Sequence, residues 1–213
     1  MDNRILNITN GEVFNEYFIS RFGGDAIPFC EAMMDGKTVM NVYSEEFIEL
    51  RSSELNVSVD LYKSKMYAHK ELQNDYGKLN LWFGKDTFCQ MNLLTLLAYL
   101  EQIEFSGEVA LNYIDDETFD VIESNIQVDL GRYLKLYESI LISKSVPIEV
   151  GVLCANSVKL YFDYHSKNGR LAEMVRNNSA MERMDLICLL LNNSKEYGLS
   201  DIQAVKLIEK YRN

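Results

Sequence analysis

The architecture of this chain is set most clearly by the stretch Leu81-Trp82-Phe83-Gly84-Lys85-Asp86-Thr87-Phe88-Cys89-Gln90. It combines the end of an apolar strand, a short polar turn and the start of an apolar helix that we expect to run to about Ile103. Asp86 is the expected N-cap of that helix. The turn places Lys85, Asp86 and Gln90 after a strand, where open α/β sheets usually hold their ligands. The stretch therefore predicts a site but no reaction.

Short apolar runs outside this stretch predict three further strands, over residues 4–8, 26–29 and 108–113. Helical periodicity separates the strands, including a segment from 44 to 76 that we expect to be broken near 56–58. Strands that alternate with helices indicate βαβ units and a mainly parallel sheet. Right-handed crossovers would bring the turns after the strands to one edge. These turns lie at Asn10, Glu31, Asp86 and Asp115.

The strand signals fade after about Val128, and helical spacing follows, including an expected helix from about 148 to 164. We therefore predict an α/β fold with two parts: an α/β domain over residues 1–127, with helices flanking a mainly parallel sheet, and an all-helical region over residues 128–213 packed on it. Three patterns predict capping boxes at helix starts. They are Thr9 with Glu12, Ser179 with Glu182 and Ser200 with Gln203, and Asp115-Asp116 is a further expected helix cap.

The charge balance argues against two classes of partner. The 213 residues carry 21 Lys and Arg against 32 Asp and Glu, a formal net charge of −11. Such a surface repels phosphate backbones and anionic lipid, so we expect neither a nucleic-acid nor a membrane partner. No apolar run reaches membrane-spanning length, and no signal core follows Met1-Asp2-Asn3-Arg4. These observations favour a cytoplasmic protein.

The cysteines and histidines indicate no familiar centre. No C-x-x-C pair and no zinc-ligand spacing is present, so the sequence assigns no metal site, and the cofactor, if there is one, stays unknown. Nor does any Ser-His-Asp or Cys-His arrangement stand out. The residues concerned are Cys30, Cys89, Cys154, Cys188, His69 and His165.

Seven side chains near the four turns are the expected ligand-binding residues: Asn10, Glu12, Glu31, Lys85, Asp86, Gln90 and Asp115. Asn10 would orient the ligand and Lys85 would offer positive charge. Asp86 and Gln90 share a helical face and would hydrogen-bond the ligand, with Glu31 and Asp115 at the rim. Each has a structural alternative, in which the carboxylates cap helices and Gln90 is a buried hydrogen-bonding residue.

Three segments also resemble an uncharacterised bacterial family, domain of unknown function 1835. They are Leu6-Asn7-Ile8-Thr9-Asn10-Gly11-Glu12, Pro28-Phe29-Cys30-Glu31 and the stretch from Leu81 to Gln90. Asn7, Glu12 and Gly84-Lys85 stand where the family usually has His, Asp and Glu-His. The family has no established activity, so the resemblance implies no reaction.

The leading hypothesis is a cytoplasmic binding or regulatory protein that holds a small polar or nucleotide-like ligand at the carboxyl edge of the sheet. One alternative is a Mg²⁺-dependent phosphoryl transferase or hydrolase that uses carboxylates as oxygen ligands. These would be Glu12, Glu31, Asp86, Asp115 and Asp116. Another alternative is an interaction module whose helical tail binds a protein partner or a second copy in a homodimer.

Overall fold

The structure is a computed structural model that describes residues 4–72 and 76–212, with the backbone alone at Tyr67. Residues 1–3, used above to argue against a signal segment, and residues 73–75 of the expected helical segment 44–76 lie outside the described residues. No described helix combines the length and apolar composition needed to cross a bilayer.

The described residues form a five-stranded sheet in the order β2-β1-β3-β4-β5. The strands are β1 (Ile5–Asn10), β2 (Ala26–Phe29), β3 (Lys78–Gly84), β4 (Glu108–Ile114) and β5 (Val121–Gln127). The first four are parallel, and β5 pairs antiparallel with β4 at one edge. The predicted α/β class and mainly parallel sheet are confirmed.

Strand β5 corrects the expectation that Asp115-Asp116 begins a helix. These two residues instead start the turn that leads into β5, since the Asp115 N–H bonds to the Asp120 carbonyl at 2.9 Å. Nearly every residue of β5 is exposed, including Val121 and Ile122. An edge strand without a buried face lacks the alternation of apolar and polar residues that marks a strand in the sequence.

Helices cover the sheet and make up the C-terminal part, as predicted. In the α/β part they are α1 (Glu12–Phe22), α2 (Glu45–Glu54), α3 (Val59–Ser64), α4 (Tyr67–Glu71) and α5 (Thr87–Gln102). The part after β5 contains α6 (Tyr133–Tyr137), a π-helical turn (Glu138–Ile142), α7 (Ala155–His165), α8 (Arg170–Asn177), α9 (Arg183–Asn192), a 3₁₀ turn (Lys195–Tyr197) and α10 (Asp201–Tyr211). The expected break near 56–58 lies between α2 and α3, whereas α7 begins later than the predicted residue 148.

The helix starts agree with the sequence in part. Asp86 caps α5 by accepting the Cys89 N–H at 2.9 Å, and the capping box at Ser200 is present. The box at Thr9 is wrong, because Thr9 lies inside β1 and its hydroxyl donates to Asn15 at 2.9 Å. The box at Ser179 is also wrong, because Glu182 itself caps α9. A four-residue pattern alone does not determine which residue is the N-cap of a helix.

Helix α5 is the central element of the core. It is buried on all sides, and one cluster of buried apolar residues extends from the sheet through α5 into the C-terminal helices. Its end also anchors α6. The Glu101 carboxylate accepts the backbone N–H groups of Gly131, Arg132, Tyr133 and Leu134 at 2.6–2.8 Å. These are N–H groups that a helix start leaves unpaired, so a carboxylate of the α/β part completes the first helix of the other part.

Candidate functional site

The four parallel strands end at one edge of the sheet, so the turns after them converge as the sequence predicts. The chain leaves β1 for β2 on one side and then crosses to β3 on the other. Open α/β sheets bind ligands at such a switch in direction, outside the carboxyl ends of the two central strands. Here those ends are Asn10 of β1 and Gly84 of β3.

Asn10 is tied to the start of α5 rather than directed into open solvent. Its Nδ2 donates to the Cys89 sulfur at 2.8 Å, and its Oδ1 accepts from the Asn92 amide at 3.0 Å. Asn92 also donates to the Glu31 carbonyl at 2.6 Å. The Asn92 amide of α5 thus connects the end of β1 with the turn after β2, and α5 itself follows the turn after β3.

A second set of contacts places two carboxyl groups and a thiol together. The ligand-type atoms of Asp86, Cys89 and Asp116 lie within 4.8 Å of one another. The Cys89 thiol donates to Asp116 Oδ1 at 3.3 Å. Although Asp116 is an exposed residue overall, its carboxyl group faces this cluster. Partial burial of the carboxyl group and the nearby Asp86 charge raise the pKa of Asp116 to about 8.

The two acids of the cluster therefore differ from an ordinary pair of surface carboxylates. Asp116 retains a proton at neutral pH, which lets it share a hydrogen bond with Asp86. Burial, followed by Asp86 and Asp116, also raises the pKa of the Cys89 thiol well above its usual range. Cys89 is thus a protonated thiol and not an activated nucleophile.

Two glycines leave the space that the acids occupy. A Cβ atom at Gly84 would clash with the Asp116 carboxylate, and one at Gly198 would clash with the Asp86 carboxylate and the Phe88 side chain. Gly198 also has a left-handed backbone, with φ of 64°. Because Gly198 belongs to the C-terminal helical part, both parts of the chain shape the surroundings of the acids.

A cleft of about 470 Å³ opens beside the cluster. Its walls come from the turns after β3 and β4 on one side, and from the start of α7 and the 3₁₀ turn on the other. The lining residues are Lys85, Asp86, Ile114, Asp115, Asp116, Glu117, Ile122, Cys154, Asn156, Ser157, Lys195 and Glu196. A molecule in this cleft would contact both parts of the chain.

The lysines of the cleft are already engaged. Lys85 pairs with Glu123 of β5 at 3.3 Å and lies over the Tyr113 ring at 4.7 Å. Lys195 pairs with Glu117 at 2.5 Å. The carboxylate of Asp115 accepts backbone N–H groups from Thr118 and Glu117, which lower its pKa. The cleft therefore presents mainly hydrogen-bond acceptors.

Three of the seven predicted residues, Lys85, Asp86 and Asp115, line this cleft. Asn10 does not line it and is bonded to Cys89. Glu12 pairs with Lys65 at 2.5 Å and lines a separate depression beside β2. The structure thus brings three of the seven predicted residues together in one cleft.

Glu31 and Gln90 have structural partners instead of cleft positions. The Glu31 carboxylate is buried and pairs with Arg51 at 3.3 Å, while the Tyr62 hydroxyl donates to it. Gln90 is fully buried; its Nε2 donates to the Gly84 carbonyl at 2.6 Å, and its Oε1 accepts the Cys154 N–H at 2.8 Å. Neither side chain lines the cleft, and both have hydrogen-bond partners within the protein.

The predicted binding residues do not include six side chains that line the cleft: Asp116, Cys154, Asn156, Ser157, Lys195 and Glu196. Asp116 had a signal, since it directly follows Asp115 after a strand. The others carry no motif, because they reach the cleft only through the packing of the helical part.

Comparison with protein-family models, curated proteins and solved structures finds no significant match for this chain.

Proposed function

We propose that this chain is a cytoplasmic binding or regulatory protein that holds a small polar ligand, of nucleoside or nucleotide type, in the cleft at the carboxyl edge of its sheet. The observation that carries the proposal is the cleft itself, which lies at the carboxyl ends of β3 and β4, next to the switch between β1 and β3, and is lined by Lys85, Asp86 and Asp115. Its volume of about 470 Å³ is within the range of about 300–1,000 Å³ typical of small-molecule sites.

The charges of the cleft narrow the ligand class. Five carboxyl groups line it against two lysines, and each lysine pairs with a glutamate. Acceptors of this kind favour a ligand rich in hydroxyl, amide or amine donors, such as a ribose with a base, over a bare polyphosphate. Ile114 and Ile122 add an apolar wall on which a ring could lie.

A thermal-shift screen of nucleosides, nucleotides, sugars and amines at pH 7 tests the proposal. We expect one class to raise the melting temperature by several degrees at about 100 times its Kd, since binding to the folded state alone stabilises it by about 2.7 kcal/mol. Lys85→Ala and Asp115→Asn should each reduce this shift, because both side chains line the cleft.

Lys63→Ala is the matched control for Lys85→Ala. Lys63 forms a surface pair with Glu45 at 3.3 Å, the same distance as Lys85 and Glu123, and the two lysine side chains are 43% and 41% exposed. Both substitutions should cost under about 1 kcal/mol of stability, but only Lys85→Ala should weaken the ligand response. The proposal would be contradicted if no compound raised the melting temperature, or if Lys85→Ala and Lys63→Ala changed the shift equally.

A second candidate is an enzyme, a Mg²⁺-dependent phosphoryl transferase or hydrolase. The favouring observation is the close pair of Asp86 and Asp116, since acids whose environments separate their pKa values are typical of acid–base sites. Mg²⁺ would take oxygen from both carboxylates and from water, because the Cys89 thiol is a poor ligand for it.

Calorimetry distinguishes this enzyme from a simple binding protein. Mg²⁺ bound to both carboxylates must displace the proton of Asp116, whose pKa is raised to about 8. At pH 7 the measured heat should therefore differ between two buffers with different heats of ionisation, and Asp116→Asn should abolish the difference. Absence of any Mg²⁺ or Mn²⁺ binding at millimolar concentration would exclude this candidate.

A further inference from the structure

A second cavity, which shares no lining residue with the cleft, is basic in a chain whose formal net charge is −11. We call it the lysine pocket. It has a volume of about 420 Å³. Its charged residues are Lys37, Lys144, Lys206, Lys210, Asp35 and Glu54. Four ammonium groups against two carboxylates leave two net positive charges.

Most of these ammonium groups lack a carboxylate partner. Among the described residues, no carboxylate lies within ion-pair distance of Lys37, Lys144 or Lys210. Lys206 lies 3.9 Å from Asp35, whose other oxygen accepts the Tyr164 hydroxyl at 2.8 Å. What distinguishes this group is its position, because four lysines line one cavity of a protein whose formal net charge is −11.

Lys144 is held in place by an unusual backbone. It follows the π-helical turn Glu138–Ile142 and has a φ of 51°, a left-handed conformation that residues other than glycine rarely adopt. Its ammonium group lies over the Tyr161 ring at 4.7 Å and contacts the Tyr161 hydroxyl. π-Helical turns and positive φ angles concentrate at functional sites. Partial burial and the charge of Arg51 lower the pKa of Lys144 to about 8, which leaves it protonated at neutral pH.

The histidine of the pocket, His165, adds no charge. His165 donates from Nε2 to the Met34 carbonyl at 3.0 Å, and burial together with Lys144 lowers its pKa to about 4. His165 is therefore neutral, and the positive charge of the pocket comes from lysines alone. Ammonium groups on flexible stems act as point charges that suit phosphate oxygens.

We propose that the lysine pocket binds the dianionic phosphate group of a small phosphorylated molecule. Two net positive charges match a phosphate monoester dianion, and the volume accommodates a phosphate with a small organic group. Lys37 belongs to the α/β part, between β2 and α2, whereas Lys144, Lys206 and Lys210 belong to the helical part. A bound phosphate would thus connect the two parts of the chain.

Isothermal calorimetry with inorganic phosphate and phenyl phosphate tests this site, with sodium chloride holding the ionic strength constant. We expect saturable binding of both probes to the 213-residue chain and at least tenfold weaker binding after Lys206→Gln or Lys144→Gly. The glycine variant removes the ammonium group and suits the left-handed backbone, so its fold should be preserved.

The matched control is Lys159→Gln, an equal loss of charge at an exposed position of α7 outside the pocket. Unchanged affinity in this variant together with a loss in the pocket variants supports the site. No saturable binding below about 10 mM, or equal weakening in Lys159→Gln and Lys206→Gln, overturns it. The proposal is independent of the cleft, since the pocket variants should keep any thermal shift that a cleft ligand produces.

Discussion

The two halves of the carboxyl edge of the sheet differ in whether their acidic side chains have a basic partner. After β2, the buried Glu31 carboxylate pairs with Arg51 and accepts hydrogen bonds from Tyr62 and from the Ala32 N–H. After β3 and β4, Asp86 and Asp116 face each other, and no ion pair involves either of them among the described residues. The first half is stabilised by its acid. The second half holds two acids together beside a cleft, and one of them keeps its proton at neutral pH; such perturbed acids are typical of binding and catalytic sites.

The largest expected effect comes from breaking the stabilised half. Arg51→Met leaves Glu31 as an unpaired buried acid and also removes the donors to the carbonyls of Ala32, Asp35 and Lys37. We expect the free energy of unfolding to fall by about 3–5 kcal/mol, measured by urea denaturation at pH 7.

Two companion variants define the origin of that loss. Arg183→Met removes an exposed pair with Glu209, at 3.0 Å, and should cost under about 1 kcal/mol. Adding Glu31→Gln to Arg51→Met should recover part of the loss, because the double variant no longer buries a lone charge. If Arg51→Met costs no more than Arg183→Met, the contrast between the two halves is wrong.

We expect an intermediate loss of stability from a substitution at Gly198, which lies against the Asp86 carboxylate of the second half. Gly198→Ala places a methyl group against the Asp86 carboxylate on a left-handed backbone, so the N-cap of α5 must move. We expect a cost of about 2 kcal/mol from the backbone strain and the weakened cap. Gly24→Ala, at φ of 86° with open space around it, carries the strain alone and should cost about 1 kcal/mol. Equal urea midpoints for Gly198→Ala and Gly24→Ala would mean that displacing the Asp86 carboxylate does not lower the free energy of unfolding.

The smallest effect depends on pH. Asp116 keeps its proton to about pH 8 in the folded protein, whereas its ordinary pKa is 3.8. Between these values the unfolded chain has lost a proton that the folded chain still holds, so stability falls as pH rises. Asp116→Asn removes this dependence and should stabilise the protein by about 1–2 kcal/mol at pH 8, after discounting for solvent exposure.

Urea denaturation at pH 4 and pH 8 checks the Asp116 prediction, since the gain should vanish at the lower pH. Asp115→Asn is the control of opposite sign. Backbone N–H groups lower the pKa of Asp115, so its replacement should bring no gain at alkaline pH. A gain from Asp116→Asn that is the same at both pH values would place its origin outside the charge of the carboxyl group.

Local patterns predicted the elements better than the contacts between them. The Leu81 to Gln90 stretch indicated β3, the Asp86 cap and α5 correctly, because apolar runs and caps are properties of neighbouring residues. Gln90 shares a helical face with Asp86, but α5 is buried on every side, so sharing a face does not imply facing a ligand. The wall of the cleft that begins at Cys154 depends on how the helical part packs, which no spacing in the chain encodes.

The Glu101 carboxylate has a consequence for how this chain can change over evolution. It holds four N–H groups at the start of α6, about thirty positions further along the chain. Insertions and deletions between Glu101 and Gly131 must therefore be absorbed in loops, such as the turn before β5, that leave both ends of this clamp in register. We expect the lengths of such loops to vary among distant homologues, whereas Glu101 and the start of α6 that it caps should be conserved together.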